Sequence, residues 1–264
     1  MPKPIIERQL ANLTWTDVAA MEKDPGLVIL PVGAIEQHGP HLPLITDTLL
    51  ATQVLERTLS QLPPEVRAWV LPPLNYGKSM EHVGFPGTLS LSTETLLAVL
   101  HDIAASVSDA GFRRLAFFNG HGGNMAVLDA AARDIRARTG LLCFSLHPSL
   151  YVDPPFEISE EERRYGFHAG ELETSLMLAI APELVHTDRA LRHIPSFDDG
   201  DTPLHFFGAA SAAWLTRDWS PSGVFGDATL GSAEKGEQLL TAAVSRLSGL
   251  ITTLSCFDVA GGGE

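Results

Sequence analysis

Three short segments hold the side chains best suited to chemistry. The first runs Gly33-Ala34-Ile35-Glu36-Gln37-His38-Gly39-Pro40-His41-Leu42-Pro43-Leu44-Ile45-Thr46-Asp47. In extended chain, residues two apart point to the same side, so Glu36 and His38 offer an oxygen and a nitrogen together. Asp47 follows through a proline-punctuated loop and can add a carboxylate. Glu, His and Asp together suit a borderline dication such as zinc, iron or manganese. The same residues also fit a plainer description, an N-cap Asp with a surface Glu/His pair at a turn. His41, set among prolines, is read as shaping the loop.

The second segment is Phe117-Phe118-Asn119-Gly120-His121-Gly122-Gly123-Asn124. Its glycines allow close backbone approach and can thrust His121 into a cleft. A Gly-rich turn before a helix can also cradle phosphate. However, this one lacks the lysine of a P-loop and the spacing of a dinucleotide fingerprint, so a metal-binding or catalytic His121 is favoured. The third segment is Phe167-His168-Ala169-Gly170-Glu171-Leu172-Glu173-Thr174-Ser175. Acids near a helix N-terminus complement its dipole at little cost. With Leu172 and Leu176 beside them, one of Glu171 and Glu173 is still expected to face inward, where a carboxylate needs a partner.

The elements that position these segments are legible as alternating patterns. Continuous apolar runs predict strands at 27–32, 68–71, 114–119 and 141–146, as for strands buried on both faces. Helical spacing predicts helices at 48–62, 93–110 (capped by Thr93 and ended by Gly111), 125–139, 171–181 and 232–253. Alternation of this kind predicts an α/β chain with a mostly parallel sheet covered on both faces. Each of the three segments falls at a strand end or helix start, and ligands of such sheets gather beyond the carboxyl ends of strands. Two stretches, 148–167 and 194–226, lack regular pattern and read as functional loops or oligomer contacts. With no repeat or linker, residues 1–264 read as one domain.

The 264 residues carry 18 Lys plus Arg against 32 Asp plus Glu, a net charge of −14, yet only 19% are charged and 45% are hydrophobic. That balance excludes a disordered acidic tail and makes nucleic acid or an anionic membrane a poor partner. Cys143 and Cys256 stand apart with no CxxC, so neither a thiolate zinc site nor a redox pair is signalled. Cys143, in an apolar run, reads as an inert buried thiol. The N-terminus lacks an apolar core of signal-peptide length, and no uninterrupted apolar run approaches the roughly 18 residues of a membrane span. A cytoplasmic protein is expected.

Convergence of the three segments would build a metal centre. Such a centre lowers the pKa of bound water from about 15.7 toward 7, and a nearby free histidine, best His168, can carry the proton to a leaving nitrogen. Taken in order, Gly-Ala-Ile-Glu-Gln-His-Gly-Pro-His-Leu-Pro, the later Thr-Asp-Thr, Asn-Gly-His-Gly-Gly-Asn and His-Ala-Gly-Glu-Leu-Glu-Thr-Ser resemble the creatininase (creatinine amidohydrolase) family. Tyr76-Gly77-Lys78-Ser79 with Glu81-His82, Phe85-Pro86-Gly87-Thr88 and Gly223-Val224-Phe225-Gly226-Asp227 support the resemblance, which runs from about Leu13 to Leu254. It implies a three-layer α/β/α sandwich, usually a homohexamer, with two divalent ions (Zn, Mn or Fe) that hydrolyse C–N bonds of cyclic or small amides. By the same resemblance, Glu36 and His121 bind one metal, His38 the other, Asp47 bridges, Glu173 is a fifth ligand and His168 is the general acid/base.

The sequence departs from creatinine hydrolases in one important place. Those proteins carry Tyr and a metal-binding Glu directly after the loop histidine; here stand Gly122 and Gly123. They also carry a Trp shortly before the third-segment histidine, where this chain has Tyr165-Gly166-Phe167. The second metal therefore loses one protein ligand, with Glu173 or water as replacement, and the pocket is expected to lack aromatic walls. Creatinine itself is disfavoured. The Gly-Gly version is similar to the branch containing formylamidopyrimidine deformylases and the peptidase of mycofactocin maturation. The sequence thus predicts a metal-dependent amidohydrolase acting on a non-peptide C–N bond of a small cyclic amide or formamide. The alternatives are a mycofactocin-maturation-type metallopeptidase and a non-catalytic metal-binding oligomeric scaffold.

Overall fold

Alternate residues of the first strand serve two separate cores. Leu27 and Ile29 pack into one buried cluster, while Val28, Leu30 and Val32 pack into another on the opposite face. This is the period-two consequence of a strand covered on both sides. The computed structural model describes residues 5–150, 152–195 and 211–259. Its main elements are β1 (Leu27–Val32), α1 (Thr46–Gln61), β2 (Ala68–Val70), α2 (Thr93–Asp109), β3 (Arg114–Asn119), α3 (Met125–Thr139), β4 (Leu142–Leu146), α4 (Glu171–Ile180) and α5 (Ala233–Cys256). The four strands form one parallel sheet in the order β2-β1-β3-β4.

The helices divide between the two faces. Leu50, Val54 and Leu55 of α1, Leu176 and Met177 of α4, and Leu239, Leu240 and Leu247 of α5 share one core with Ala116 and Phe118 of β3. Leu96 and Leu100 of α2 and Leu128 and Ile135 of α3 share the other with Leu115 and Phe117. The result is the expected three-layer sandwich. The strand order also explains where a site can form. The chain leaves β1 toward β2 but leaves β3 toward β4, so the connections diverge at the carboxyl ends of β1 and β3 and open a crevice there. Val32 pairs with Asn119 as the last register position, which delivers the two following loops side by side.

Several expectations are corrected in detail. Helix α2 is capped by Ser92, whose hydroxyl accepts from the Thr95 N–H at 3.2 Å, and Thr93 is its first residue. Helix α5 is capped by Ser232 and starts at Ala233. Of the two patternless stretches, the first contains a short helix, Glu160–Tyr165, and the second lies partly outside the described residues. Helix α5 reaches the length and mean hydropathy, 1.4 over its most apolar window, of a membrane span. Its apolar stripe is nonetheless core, and Glu237 and Arg246 on it pair with Arg57 and Asp153. The Cys143 thiol is partly buried, and burial pushes its pKa up to about 12, in keeping with an inert group.

The first turn of α1 is pressed directly onto both loops. A Cβ at Gly33 would lie 2.2 Å from Thr48 Oγ1, and one at Gly120 would lie 2.4 Å from the Asp47 carbonyl oxygen. Overpacking a tight contact typically costs about 1–3 kcal/mol. Gly120→Ala is therefore expected to lower the urea unfolding midpoint by a corresponding amount, and an unchanged midpoint would contradict this packing.

Candidate metal centre

Three loops meet at the crevice, and two asparagines tie them. Asn124 donates from Nδ2 to the Gly33 carbonyl at 3.0 Å and accepts at Oδ1 from the Lys78 N–H at 2.8 Å. Asn119 donates to the His121 carbonyl at 2.7 Å and accepts from the His121 N–H at 3.1 Å. The loop after β1, the loop between β2 and α2, and the loop after β3 are thus fixed against one another. A hydrogen-bonded frame of this kind holds donor atoms in place before any ligand arrives.

Asp47 sits in the first turn of α1, where the helix dipole favours a carboxylate. Its Oδ1 lies 3.1 Å from His38 Nε2 and its Oδ2 lies 3.4 Å from His121 Nδ1. Glu36 Oε2 lies 3.2 Å from His121 Nδ1 and also accepts from the Ser79 hydroxyl. Glu36 Oε1 faces His82 Nε2 at 3.3 Å, His168 Nδ1 at 3.7 Å and His38 Nε2 at 3.9 Å. Glu173 reaches in from α4, with Oε2 3.9 Å from His38 Nε2 and held by the Ala169 N–H at 2.6 Å. Ala169 adopts φ 53°, a left-handed value that a non-glycine residue rarely takes, and it does so beside His168.

The carbonyl partners fix which ring nitrogens face the centre. His38 Nδ1–H donates to the Glu36 carbonyl at 3.2 Å, which turns Nε2 toward Asp47. His168 Nε2–H donates to the Gln37 carbonyl at 2.8 Å, which turns the Nδ1 lone pair toward Glu36. Partners of this kind orient metal-binding histidines. Three groups of donor atoms lie within 4.8 Å of one another: Glu36, Asp47 and His121; His38, Asp47 and Glu173; Glu36, His38 and His168.

The electrostatics are those of carboxylates and imidazoles crowded together out of water. Glu36, His38 and Asp47 are essentially inaccessible to solvent. Burial alone would raise Glu36, but the charge of His121 and its hydrogen bond outweigh it and hold its pKa well below the usual range. Burial and then the charge of Glu36 raise Asp47. Burial opposes protonation of His38, yet Asp47, Glu173 and Glu36 push it up to about 9. His121 is raised in the same manner, against burial, by Glu36, Glu81 and Asp47. Burial raises Glu173 to about 7, and lowers His82 to about 4 and His168 well below its ordinary value. Among the described residues, Glu36 Oε1 and Asp47 Oδ2 are buried without a hydrogen-bond partner. Buried carboxylate oxygens in that state call for a cation, and the mixed N/O donor set fits a borderline dication.

The six residues singled out from sequence, Glu36, His38, Asp47, His121, Glu173 and His168, therefore lie together. Glu171, the other acid of the pair, turns away to Lys235 at 2.5 Å. His41 is buried against Thr174 Oγ1 at 2.8 Å and belongs to none of the donor groups. Sequence reasoning passed over His82 and Gln37. Gln37 Nε2 and Thr216 Oγ1 lie 2.8 and 2.9 Å from His82 Nδ1, directing its Nε2 at Glu36. The signal for His82 was its place beside Glu81 after Tyr76-Gly77-Lys78-Ser79, one of the segments that carry the resemblance.

A cavity of about 530 Å³ opens onto Asp47, His121, His168 and Glu173, a volume in the range of small-ligand sites. The expected loss of aromatic walls is corrected here. Phe167 and Trp214 line the cavity with ring centroids 5.8 Å apart, and Phe167 stacks on Phe225 at 4.7 Å. Trp214 comes from a remote segment, so the residues just before His168 could not reveal it.

Comparison with known proteins places these features. The family model described as creatininase, creatinine amidohydrolase, matches residues 11–251. The chain is 36% identical over 222 residues to the mycofactocin precursor peptide peptidase of Mycolicibacterium smegmatis, covering 83% of this chain and 81% of that protein. It is 34% identical over 260 residues to the creatinine amidohydrolase of Pseudomonas putida, covering 92% and 95%. A solved creatininase variant of Zn–Zn type superposes with a TM-score of 0.72 at 30% identity, covering 94% of this chain and 97% of that one.

The geometry predicts that chelation destabilises the fold. A ligand that binds only the folded chain adds about 2.7 kcal/mol when present at 100 times its Kd. Removing metal should lower the thermal midpoint, added zinc or manganese should restore it, and Asp47→Ala should abolish the restoration. A wild-type midpoint indifferent to chelator and metal would contradict the assignment.

Proposed function

The chain belongs to the creatininase family, and on that premise we propose that it hydrolyses a non-peptide C–N bond in a small cyclic amide or formamide. The observation that carries this reading is the Asp47 carboxylate, whose two oxygens each face a different histidine. Glu36 and His121 would hold one divalent ion, His38 and Glu173 the other, with Asp47 shared between them. Zinc, manganese or iron suits such a set, and ions so held polarise a carbonyl and make water a nucleophile near neutral pH.

The chain's own residues supply the rest. His168, held neutral by burial and anchored through Nε2 to the Gln37 carbonyl, presents an unprotonated Nδ1 to the centre. It can take a proton from the attacking water and pass it to the departing nitrogen, a role typically worth about 10²–10⁴-fold in rate. Phe167 and Trp214 would pack on a planar amide and exclude bulk water from it. A homohexameric, cytoplasmic enzyme is part of the same proposal.

A second reading, removal of residues from the end of a short peptide, is supported by the 36% identity to a precursor-peptide peptidase. Both predict hydrolysis only with metal present. Metal-loaded protein should cleave members of a panel of cyclic amides and formamides. Release of amino acids from short peptides without formamide hydrolysis would favour the second reading instead. Protein that binds no transition metal and gains no amidase activity with Zn, Mn or Fe would sink both. His168→Ala should keep its metal and slow turnover within the range above. Metal loss equal to that of Asp47→Ala would make His168 a ligand instead.

A further inference from the structure

Glu81 has no part in the reading above, yet it stands against one of the proposed ligands. Its Oε1 lies 3.2 Å from His121 Nε2, on the far side of the ring from Glu36 and Asp47. The Lys78 carbonyl lies 3.0 Å from the same nitrogen. Two acceptors there require Nε2 to carry a proton, which leaves Nδ1 as the nitrogen presented to the centre.

The neighbouring loop is shaped around this carboxylate. A Cβ added to Gly123 would lie 1.9 Å from Glu81 Oε1, 2.4 Å from His121 Nε2 and 2.7 Å from the Lys78 carbonyl. No side chain can occupy position 123 while Glu81 is seated. Gly122, by contrast, has open space where its Cβ would be. Of the two glycines that follow His121, the second is therefore demanded by Glu81 together with the His121 ring and the Lys78 carbonyl. Glu81 precedes His82 in the turn Met80–His82, so one short segment sets a carboxylate behind His121 and an imidazole beside Glu36.

We propose that Glu81 is a positioning residue of the metal centre, a carboxylate that accepts from His121 Nε2–H, fixes the ring and strengthens Nδ1 as a donor, with Gly123 kept side-chain-free to admit it. The proposal rests on the metal-centre reading for its effect on affinity, but the Glu81–His121 hydrogen bond does not depend on a metal. A carboxylate behind a ligating histidine raises its basicity, and loss of such a partner typically costs about 10–100-fold in metal affinity or activity.

The test compares wild type, Glu81→Gln and Glu81→Ala in the full-length protein. Zinc and manganese affinities are measured by competition with a chelator, and the His121 Nε2–H resonance is followed by NMR of ¹⁵N-histidine-labelled protein, with and without metal. The Ala variant should bind one of the two ions about 10–100-fold more weakly and shift the His121 proton resonance upfield. The Gln variant, which keeps an acceptor oxygen but no charge, should lie between. A purely structural role would change the thermal midpoint and leave the resonance where it was. An unmoved resonance together with wild-type affinities in the Ala variant would overturn the proposal. If wild type binds no metal, the functional reading fails, and the resonance alone decides the role of Glu81, with an unmoved signal rejecting it.

Discussion

The molecule is organised around two carboxylates, Glu36 and Asp47, buried at the one place in the sheet where the chain's connections diverge. A carboxylate withdrawn from water costs several kcal/mol unless a counter-charge meets it. Here the counter-charge comes from His121 and His38, which share the oxygens of both acids. Yet one oxygen of each acid has no hydrogen bond. Protons on histidine neutralise the cluster incompletely, and dications would complete it. The frame of asparagine hydrogen bonds and the close glycine contacts are what hold such a costly arrangement in place.

That constraint explains the roles of otherwise unremarkable residues. Asn124 binds two loops to a third because the donors come from three separate segments. Gly33 and Gly120 let the first turn of α1 approach until Asp47 stands between the histidines. Gln37 directs the ring of His82 and, through its carbonyl, that of His168. The ring of His168 lies between those of His38 and His82, tilted against each with centroids 4.4 and 4.2 Å away, and all three face the same oxygen of Glu36. Such close packing is tolerable because burial keeps His82 and His168 uncharged.

Much of this was legible in the sequence, for identifiable reasons. The strands β1 and β3 show as unbroken apolar runs because both faces are buried, and their ends announce the loops that carry Glu36 and His121. Those donors are recognisable by type and spacing, since Glu36, His38 and Asp47 follow β1 closely and His121 follows β3. What the sequence could not show depends on distant segments meeting. His82 and Glu81 lie in an irregular loop with no periodic signal, and their roles come from where that loop packs. Trp214 replaces an aromatic wall from a different part of the chain, and the choice between Glu171 and Glu173 turns on Lys235 attracting the former. At α2 the cap is Ser92, one residue before the expected Thr93, because its hydroxyl accepts the Thr95 N–H.

The central claim is that Asp47 is shared between two cations. Its most direct measurement is anomalous diffraction from crystals soaked in zinc. The account predicts two peaks flanking the Asp47 carboxylate, one beside Glu36 and His121 and the other beside His38 and Glu173. No peak at the carboxyl ends of β1 and β3, or peaks that leave Asp47 unliganded, would contradict it.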